Sequence, residues 1–250
     1  MRQKENLKWS PDVLFYPLFL VMSLWIVFWI EHRFRFNLNF LGIYPRTIPG
    51  LKGLLFGPFI HGSLKHLFNN SVPLLVLLAS LFFFYRNLRW QVLIYGMLFT
   101  GLLTWVIGRP SLHIGASGVV YMLVSFIFFK GILSRHYQLT ALALIVVFLY
   151  GGLWWYVFPI DPGISWEGHL SGFIVGLAIS LVTRHEVLPQ RKYEWELESF
   201  DESKDPFISH FDKDGNFIEA SKPIVLTPED TSMSEQVEVV YDYKEEKKQD

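Results

Sequence analysis

The chain has 250 residues, of which 51% are hydrophobic and 17% aromatic, and its formal net charge is −1. This composition is too apolar for a typical soluble domain of that length. The absence of cysteine excludes disulfide bonds, thiolate metal sites and a cysteine nucleophile.

The apolar residues form long runs that predict membrane-spanning helices. Residues 13–30 contain no charged side chain over 18 positions, about the length that crosses a hydrocarbon core of roughly 30 Å. The polar residues before this run, and the lack of a small-residue cleavage site, indicate an anchor rather than a removed signal peptide. Strand-like alternation is absent, so we expect an all-α membrane protein with six spanning segments: 13–30, 66–84, 91–108, 116–130, 139–158 and 167–183.

The first two spans are separated by a long connection, residues 32–65. It is rich in aromatic residues and glycine, and Pro45, Pro49 and Pro58 interrupt it too often for it to span. We expect this first outer loop to form an amphipathic element that lies in the membrane interface.

The distribution of charge predicts both topology and domain organisation. The loops and ends on one side of the six segments hold ten Lys or Arg residues, and those on the other side hold six. The positive-inside rule therefore places both termini in the cytoplasm, and the absence of targeting segments favours a bacterial cytoplasmic membrane. Residues 1–189 carry 14 basic against 6 acidic residues, whereas residues 190–250 carry 8 against 17. We expect three regions, which are a cytoplasmic N-terminus, a membrane domain and an acidic, partly disordered cytoplasmic tail: 1–12, 13–187 and 188–250.

The fourth segment is short and begins at a serine. The 13 residues from Ser117 to Phe129 span roughly 20 Å at about 1.5 Å per residue, less than the hydrocarbon core. If Lys130 rests at the cytoplasmic interface, Ser117 lies at a helix start about 10 Å below the outer surface. Unpaired N–H groups at such a start suit a developing oxyanion. Serine and glycine are also common at helix contacts in membranes, so Ser117 alone indicates either a nucleophile or a packing residue.

Polar residues near the start of two other segments favour a catalytic role. His66 and Asn70 share one helix face in the second segment, and His169 begins the sixth. Segments two, four and six all begin on the outer side, which brings these residues to the depth of Ser117 and predicts a recessed pocket. Ionisable residues inside membrane segments are rare and usually functional.

The chemistry of this set fits a serine–histidine pair. Ser117 would attack a carbonyl and His169 would accept its proton, while His66 and Asn70 would stabilise the oxyanion. The acidic residues of the membrane half, including Asp161 and Glu167, lie at segment ends or in loops. We therefore expect a dyad rather than a Ser-His-Asp triad, and no aspartyl-protease pair.

Three motifs together resemble the rhomboid family of intramembrane serine proteases. His61, His66 and Asn70 match its His-x4-His-x3-Asn pattern, residues 115–118 match its Gly-x-Ser-Gly motif, and residues 169–176 match its His-x2-Gly-x3-Gly motif. The motifs occur in family order, and the similarity covers roughly residues 13–185. The resemblance implies a six-helix bundle that cleaves transmembrane segments of membrane proteins near their outer ends.

The resemblance also implies roles for individual residues. Ser117 is the nucleophile, His169 the base, and His66 and Asn70 lie at the oxyanion. The family has a tyrosine that stacks on the catalytic histidine, and Tyr121 matches it. The remaining matches are structural residues near the site: His61, which holds the first loop, and Gly115, Gly118, Gly172 and Gly176.

One departure from the family is visible in the first loop. The Trp-Arg pair often found there is missing, and the stretch "YPR" with Arg46 stands in its place. We interpret His113 as a loop residue that faces lipid headgroups.

Several alternatives compete with this interpretation. A non-proteolytic rhomboid-like protein that binds membrane clients would lack the serine or the histidine, and a transporter would show a helix broken at mid-membrane. His61, His66 and His169 could bind zinc in principle, but no His-Glu-x-x-His helix is present. We expect no metal, cofactor or nucleic acid; the expected partners are the bilayer, transmembrane substrates and an unidentified cytoplasmic partner of the tail.

In the tail, residues 211–220 fit a hairpin turning at Asp214-Gly215 better than a calcium loop.

Overall fold

The computed structural model describes residues 9–134 and 136–183, and in the tail residues 193, 195, 199–201, 205, 207–212 and 214–218. Secondary structure in these residues is helical, apart from two isolated β-bridges. The chain divides into two units, residues 1–190 and 191–250. The predictions made for residues 1–8 and for disorder near the C-terminus fall outside the described residues.

Six long helices and one short one make up the first unit among the described residues. In chain order they are α1 (Asp12–Phe34), α2 (Gly53–Phe56), α3 (Leu64–Phe84), α4 (Arg89–Ile107), α5 (Ser117–Leu133), α6 (Tyr137–Tyr150) and α7 (Trp166–Val182). Each predicted segment overlaps one of the long helices, so the expectation of an all-helical membrane protein is confirmed.

Four stretches are long and apolar enough to cross a membrane: Asp12–Phe34, Leu64–Phe84, Arg89–Ile107 and Tyr137–Val157. The last of these continues α6 through a 3-10 helix over Gly151–Val157. Helices α5 and α7 are apolar but have only 17 residues each, about 25 Å. That all six long helices cross the bilayer stays a prediction.

The end of α5 differs from the sequence-based expectation. The predicted segment ended at Lys130 as an interfacial residue, but the helix continues to Leu133 and Lys130 is buried. The Lys130 ammonium donates hydrogen bonds to the carbonyl oxygens of Ser180 and Thr183 at the end of α7. Because these carbonyls replace water around the charge, the lysine is accommodated inside the bundle and does not end the helix.

Helix α5 lies at the centre of the bundle, where it contacts α3, α4, α6 and α7. Its packing against α7 depends on glycine. A Cβ atom at Gly172 would collide with the carbonyl oxygen of Gly118, and one at Gly176 with the carbonyl oxygen of Met122. The absence of these atoms lets the backbones of α5 and α7 approach closely, as small residues do between membrane helices.

The first outer loop packs onto α4 and the chain before α5. Its short helical turns are interrupted at Arg46, whose φ is 55°. The Arg46 guanidinium donates to the carbonyl oxygens of Val106 (3.1 Å) and Gly108 (2.8 Å), and the Trp105 indole donates to Thr47 (2.8 Å). Arg46 therefore anchors the loop in a chain that lacks the Trp-Arg pair. The location of this loop in the membrane interface stays a prediction.

The described residues of the tail contain one tight turn. Phe211 and Phe217 form an antiparallel bridge, and Gly215 between them has a φ of 81°. The Asp212 carboxylate accepts hydrogen bonds from Asn216 and from the backbone of Asp214, and these bonds lower the pKa of Asp212. The turn lies where the sequence predicted it, at Asp214-Gly215.

Candidate active site

The starts of three helices meet around one cavity. It has a volume of about 710 Å³, and its lining includes His66 and Asn70 from α3, Ser117 and Tyr121 from α5, and His169 from α7. The structure therefore brings together residues that are separated by up to about a hundred positions in the sequence, at the depth where the three helices begin.

Ser117 and His169 form a hydrogen-bonded pair across α5 and α7. The Ser117 Oγ lies 2.9 Å from Nε2 of His169, and Nδ1 of the same ring lies 2.9 Å from the carbonyl oxygen of Tyr156. Because a carbonyl oxygen only accepts hydrogen bonds, Nδ1 must carry the proton. Nε2 then presents its lone pair to the Ser117 hydroxyl, which is the arrangement a general base requires.

Tyr121 fixes the plane of the His169 ring. The two rings stack with centroids 4.1 Å apart and planes 8° apart, and the Tyr121 hydroxyl donates to the carbonyl oxygen of Leu153 at 2.7 Å. His169 is thus held by Tyr156 at one edge and by Tyr121 on one face. Both ring nitrogens have partners, and neither partner is a carboxylate.

His66 and Asn70 flank the chain just before Ser117. Gly115 has a φ of 102°, and a Cβ atom there would lie 2.6 Å from Cε1 of His66 and 3.5 Å from Nδ2 of Asn70. Only glycine allows the backbone to pass so close to these side chains in this conformation. The Asn70 Nδ2 is buried and has no hydrogen-bond partner among the described residues. Its N–H groups are therefore available to a group bound in the cavity.

The His61 side chain, from the chain just before α3, contacts the start of α5. Its ring is buried, its Nε2 accepts a hydrogen bond from the Ala116 N–H (3.4 Å), and its edge contacts the ring of His66. Burial, and secondarily the neighbouring His66, lower the pKa of His61 to about 4. The imidazole is therefore neutral at physiological pH.

One expectation about the rim of the site was wrong: His113 does not face headgroups but is buried, and its Nδ1 lies 2.6 Å from the Ser165 Oγ. Glu167 lies at the start of the sixth long helix, as expected, but its side chain is buried. Ser165 caps α7 by accepting the Gly168 N–H, a signal that a search for N-capping serines would have found.

Nothing in the described part of the chain groups three His, Cys, Asp or Glu side chains closely enough to hold a metal ion. The arrangement instead offers an oriented hydroxyl, a base and unused donors, which together suit nucleophilic chemistry at a carbonyl.

The fold and site define a class: a helical membrane protein with a hydrogen-bonded serine–histidine pair in a cavity at the starts of its helices. The chain belongs to the rhomboid family, because the Rhomboid domain model matches residues 50–186, a range that includes every predicted site residue. The family predicted from the sequence motifs is thereby confirmed.

Mycobacterial proteins resemble the chain over most of its length. Uncharacterized proteins of Mycobacterium tuberculosis and Mycobacterium bovis are each 34% identical over 189 residues, which cover 70% of this chain and 75% of the relative. An uncharacterized protein of Mycobacterium leprae is 30% identical over 204 residues, which cover 75% of this chain and 76% of that protein.

Proposed function

We propose that the protein is an intramembrane serine endopeptidase that uses Ser117 and His169 as a catalytic dyad. The observation that carries the proposal is the 2.9 Å contact between the Ser117 Oγ and the His169 Nε2, with Nδ1 held by the Tyr156 carbonyl. Membership of a family that generally consists of intramembrane serine proteases supports the same activity.

The first half of the reaction forms an acyl-enzyme. His169 Nε2 accepts the hydroxyl proton as the Ser117 Oγ bonds to the scissile carbonyl carbon. The resulting oxyanion faces the backbone N–H of Ser117 at the start of α5, together with the side chains of His66 and Asn70. When the tetrahedral intermediate collapses, the C–N bond breaks and the His169 imidazolium gives its proton to the leaving amine.

The second half returns the enzyme to its starting state. Water attacks the acyl carbon while His169 accepts one of its protons, and the C–O bond to Ser117 breaks as the hydroxyl is reprotonated. Throughout, the Tyr156 carbonyl keeps the proton on Nδ1 and accepts a stronger hydrogen bond when the ring is charged. This carbonyl takes the orienting role that a carboxylate has in a triad.

The substrates we propose are transmembrane segments of other membrane proteins, cleaved near their outer ends. Helix α5 has 17 residues, about 25 Å, which is shorter than a hydrocarbon core of roughly 30 Å, so we infer that Ser117 lies below the outer surface. The glycines around Ser117 favour small residues at the cleaved bond. We place the protein in a bacterial cytoplasmic membrane with both termini inside, on the ten-to-six distribution of basic residues. The tail, residues 188–250, would then be free to bind a cytoplasmic partner.

The test is covalent labelling of the detergent-purified protein by a fluorophosphonate probe. We expect Ser117→Ala and His169→Ala each to lower the labelling rate at least about 100-fold, because both members of the pair are needed to activate the oxygen. Ser125→Ala is a matched control: Ser125 is a buried serine on the same helix, and its hydroxyl donates to the Phe173 carbonyl away from His169.

The outcomes separate the hypotheses. Labelling that survives Ser117→Ala would identify a different nucleophile. No labelling of folded wild-type protein would overturn the dyad and favour the client-binding alternative. Labelling lost in both dyad variants and kept in the control would leave the identity of the substrate as the next problem.

A further inference from the structure

Four side chains join the two chain segments that deliver Ser117 and His169. Arg109 and His113 lie in the connection between α4 and α5, which leads directly into Ser117. Ser165 and Glu167 lie at the start of α7, within four residues of His169. We refer to these four residues as the rim network.

Arg109 and Glu167 form the first half of the rim network. The Glu167 Oε1 accepts a hydrogen bond from the backbone N–H of Arg109 (3.2 Å) and lies 3.7 Å from the Arg109 Nε. The Arg109 Nη2 also donates to the carbonyl oxygens of Pro162 (2.8 Å) and Ile164 (2.7 Å). One arginine thus holds both the first turn of α7 and the chain that enters it.

His113 and Ser165 form the second half. The His113 Nδ1 lies 2.6 Å from the Ser165 Oγ, and its Nε2 lies 3.1 Å from the Arg109 carbonyl oxygen. Because that carbonyl accepts, Nε2 carries the proton and Nδ1 accepts the Ser165 hydroxyl proton. The Ser165 oxygen in turn accepts the Gly168 N–H, so the second half connects the α4–α5 chain to the cap of α7.

Burial distinguishes this network from an ordinary surface ion pair. An exposed arginine–carboxylate pair contributes little, because water competes for both charges. Glu167 is only 1% exposed, whereas the Arg109 side chain is 35% exposed, so the carboxylate end of the pair is shielded from water. Because Arg109 also donates to two backbone carbonyls, the pair has fewer alternative positions than a fully exposed one and forms a more rigid connection.

The rigid connection matters because no covalent link fixes the distance between the nucleophile and its base. Ser117 and His169 belong to different helices, and their 2.9 Å contact depends on how the starts of α5 and α7 are placed relative to each other. The glycine contact between Gly118 and Gly172 sets how closely the two helices approach, and the rim network adds hydrogen bonds between the chain before α5 and the first turn of α7. A displacement of about 1 Å between reacting groups can lower a rate about 100-fold.

We propose that Arg109 and Glu167, supported by His113 and Ser165, are positioning residues that hold the start of α7 against the chain before α5 and so keep His169 aligned with Ser117. The proposal rests on the proposed function, since the consequence it predicts is the reactivity of Ser117. In this proposal the Glu167 carboxylate acts through Arg109 and not through a contact with His169.

The first experiment measures the labelling rate by the fluorophosphonate probe in three variants. We expect Arg109→Gln to lower the rate about 10-fold with little change in the thermal unfolding temperature. Arg109→Lys keeps the charge but cannot reach the carboxylate and two carbonyls together, so we expect a partial rescue. Arg46→Gln is the matched control: it removes an arginine that also donates to two carbonyls, those of Val106 and Gly108 at the end of α4, and among the described residues it donates no hydrogen bond to α7 or to the chain that enters α7. We expect this control to label within about three-fold of wild type.

The second experiment does not depend on activity. The chain has no cysteine, so spin labels can be placed at Leu112→Cys and Ile160→Cys, two exposed positions on the segments that the network joins. We expect the distribution of distances between the labels to broaden in Arg109→Gln and in Glu167→Gln but not in Arg46→Gln.

The two experiments distinguish failure of the proposal from failure of the proposed function. Broadening in a protein whose wild type does not label supports the connection and overturns the dyad. Wild-type labelling and an unchanged distance distribution in Arg109→Gln would overturn the positioning role. The positioning role would also be overturned if Arg109→Gln and Arg46→Gln lost labelling equally and their distance distributions did not differ. That result would show a general effect of the outer loops.

Discussion

Helices α5 and α6 are neighbours with similarly apolar sequences, but they lie in different surroundings. Of the 17 residues of α5, ten are buried, whereas α6 buries four of 14 and leaves Phe148 88% exposed. In water such exposure would cost free energy, but lipid is as apolar as a leucine side chain, so it costs little in a membrane. The two helices differ instead in glycine and serine: α5 contains Ser117, Gly118, Ser125 and Gly131, whereas α6 contains neither residue type.

This comparison shows what holds the centre of the bundle together. In lipid, helices associate through close packing and hydrogen bonds rather than through the removal of apolar surface from water. A change at the α5–α7 contact should therefore have a large effect, and one on the outer face of α6 almost none. The following predictions test that contrast.

The largest effect is expected for Gly172→Ala. The added methyl group would collide with the backbone carbonyl of Gly118, which cannot rotate away as a side chain would. We expect the free energy of unfolding in detergent to fall by about 3 kcal/mol. Gly152→Ala is the control, because nothing lies within 4 Å of a Cβ atom at that position. Equal losses in the two variants would show that close approach of α5 and α7 is not the cause.

The second prediction concerns His61 and pH. Its pKa is about 4 in the folded protein and about 6.5 when exposed, so between these values the unfolded chain binds more protons. Because the folded protein keeps this ring neutral, the contribution of His61 to the free energy of unfolding is complete above pH 6.5 and is lost as the pH falls toward 4. We expect His61→Gln to reduce the decline in unfolding free energy between pH 7 and 4.5 by about 2 kcal/mol. Parallel curves for the wild type and the variant would contradict this.

A smaller effect is expected for Ser125→Ala. The Ser125 hydroxyl is buried and donates to the Phe173 carbonyl oxygen at 2.7 Å, which links α5 to α7. Hydrogen bonds between membrane helices contribute about 0.6 kcal/mol on average, and we expect a loss of that order in the free energy of unfolding. The measurement is denaturant unfolding of the wild type and the variant in the same detergent. A loss as large as that of Gly172→Ala would show that this hydrogen bond contributes as much to the α5–α7 contact as close packing does.

The smallest effect is expected for Phe148→Ala on α6. Because this ring faces outward, its removal leaves no cavity, and we expect a change within about 0.5 kcal/mol. Phe126→Ala, at a fully buried position of α5, is the matched comparison and should cost several times more through the cavity it leaves. A large loss in Phe148→Ala alone would mean that the outer face of α6 is covered by protein.

Much of this architecture could be predicted from the sequence, because membrane helices and catalytic motifs have strong local signals. The long apolar runs predicted the six helices to within about two residues at most ends, apart from the last turns of α1, α5 and α6. The spacing of His66, Asn70, Ser117 and His169 predicted a common depth, and the structure places them around one cavity. These inferences needed only the dimensions of an α-helix and the fact that successive membrane segments run in opposite directions.

Other features depend on partners that no local pattern identifies. Lys130 and Glu167 were expected at the ends of segments, since charged residues usually mark them, but each is buried by a partner far along the chain. His113 was assigned to the membrane surface for the same reason, and Ser165 accounts for its burial.

The sequence by itself determined which segments are helical and to which family the chain belongs, and it predicted the site residues that the structure brings together around one cavity. Only the tertiary structure decided that the His169 Nδ1 is held by the backbone carbonyl of Tyr156, and that α5 lies at the centre of the bundle while α6 faces outward. The physical reason is the same in both cases. Every residue has a carbonyl group, so residue type does not mark the partner of His169, and lipid and protein interior are equally apolar, so hydropathy does not mark which helix is buried.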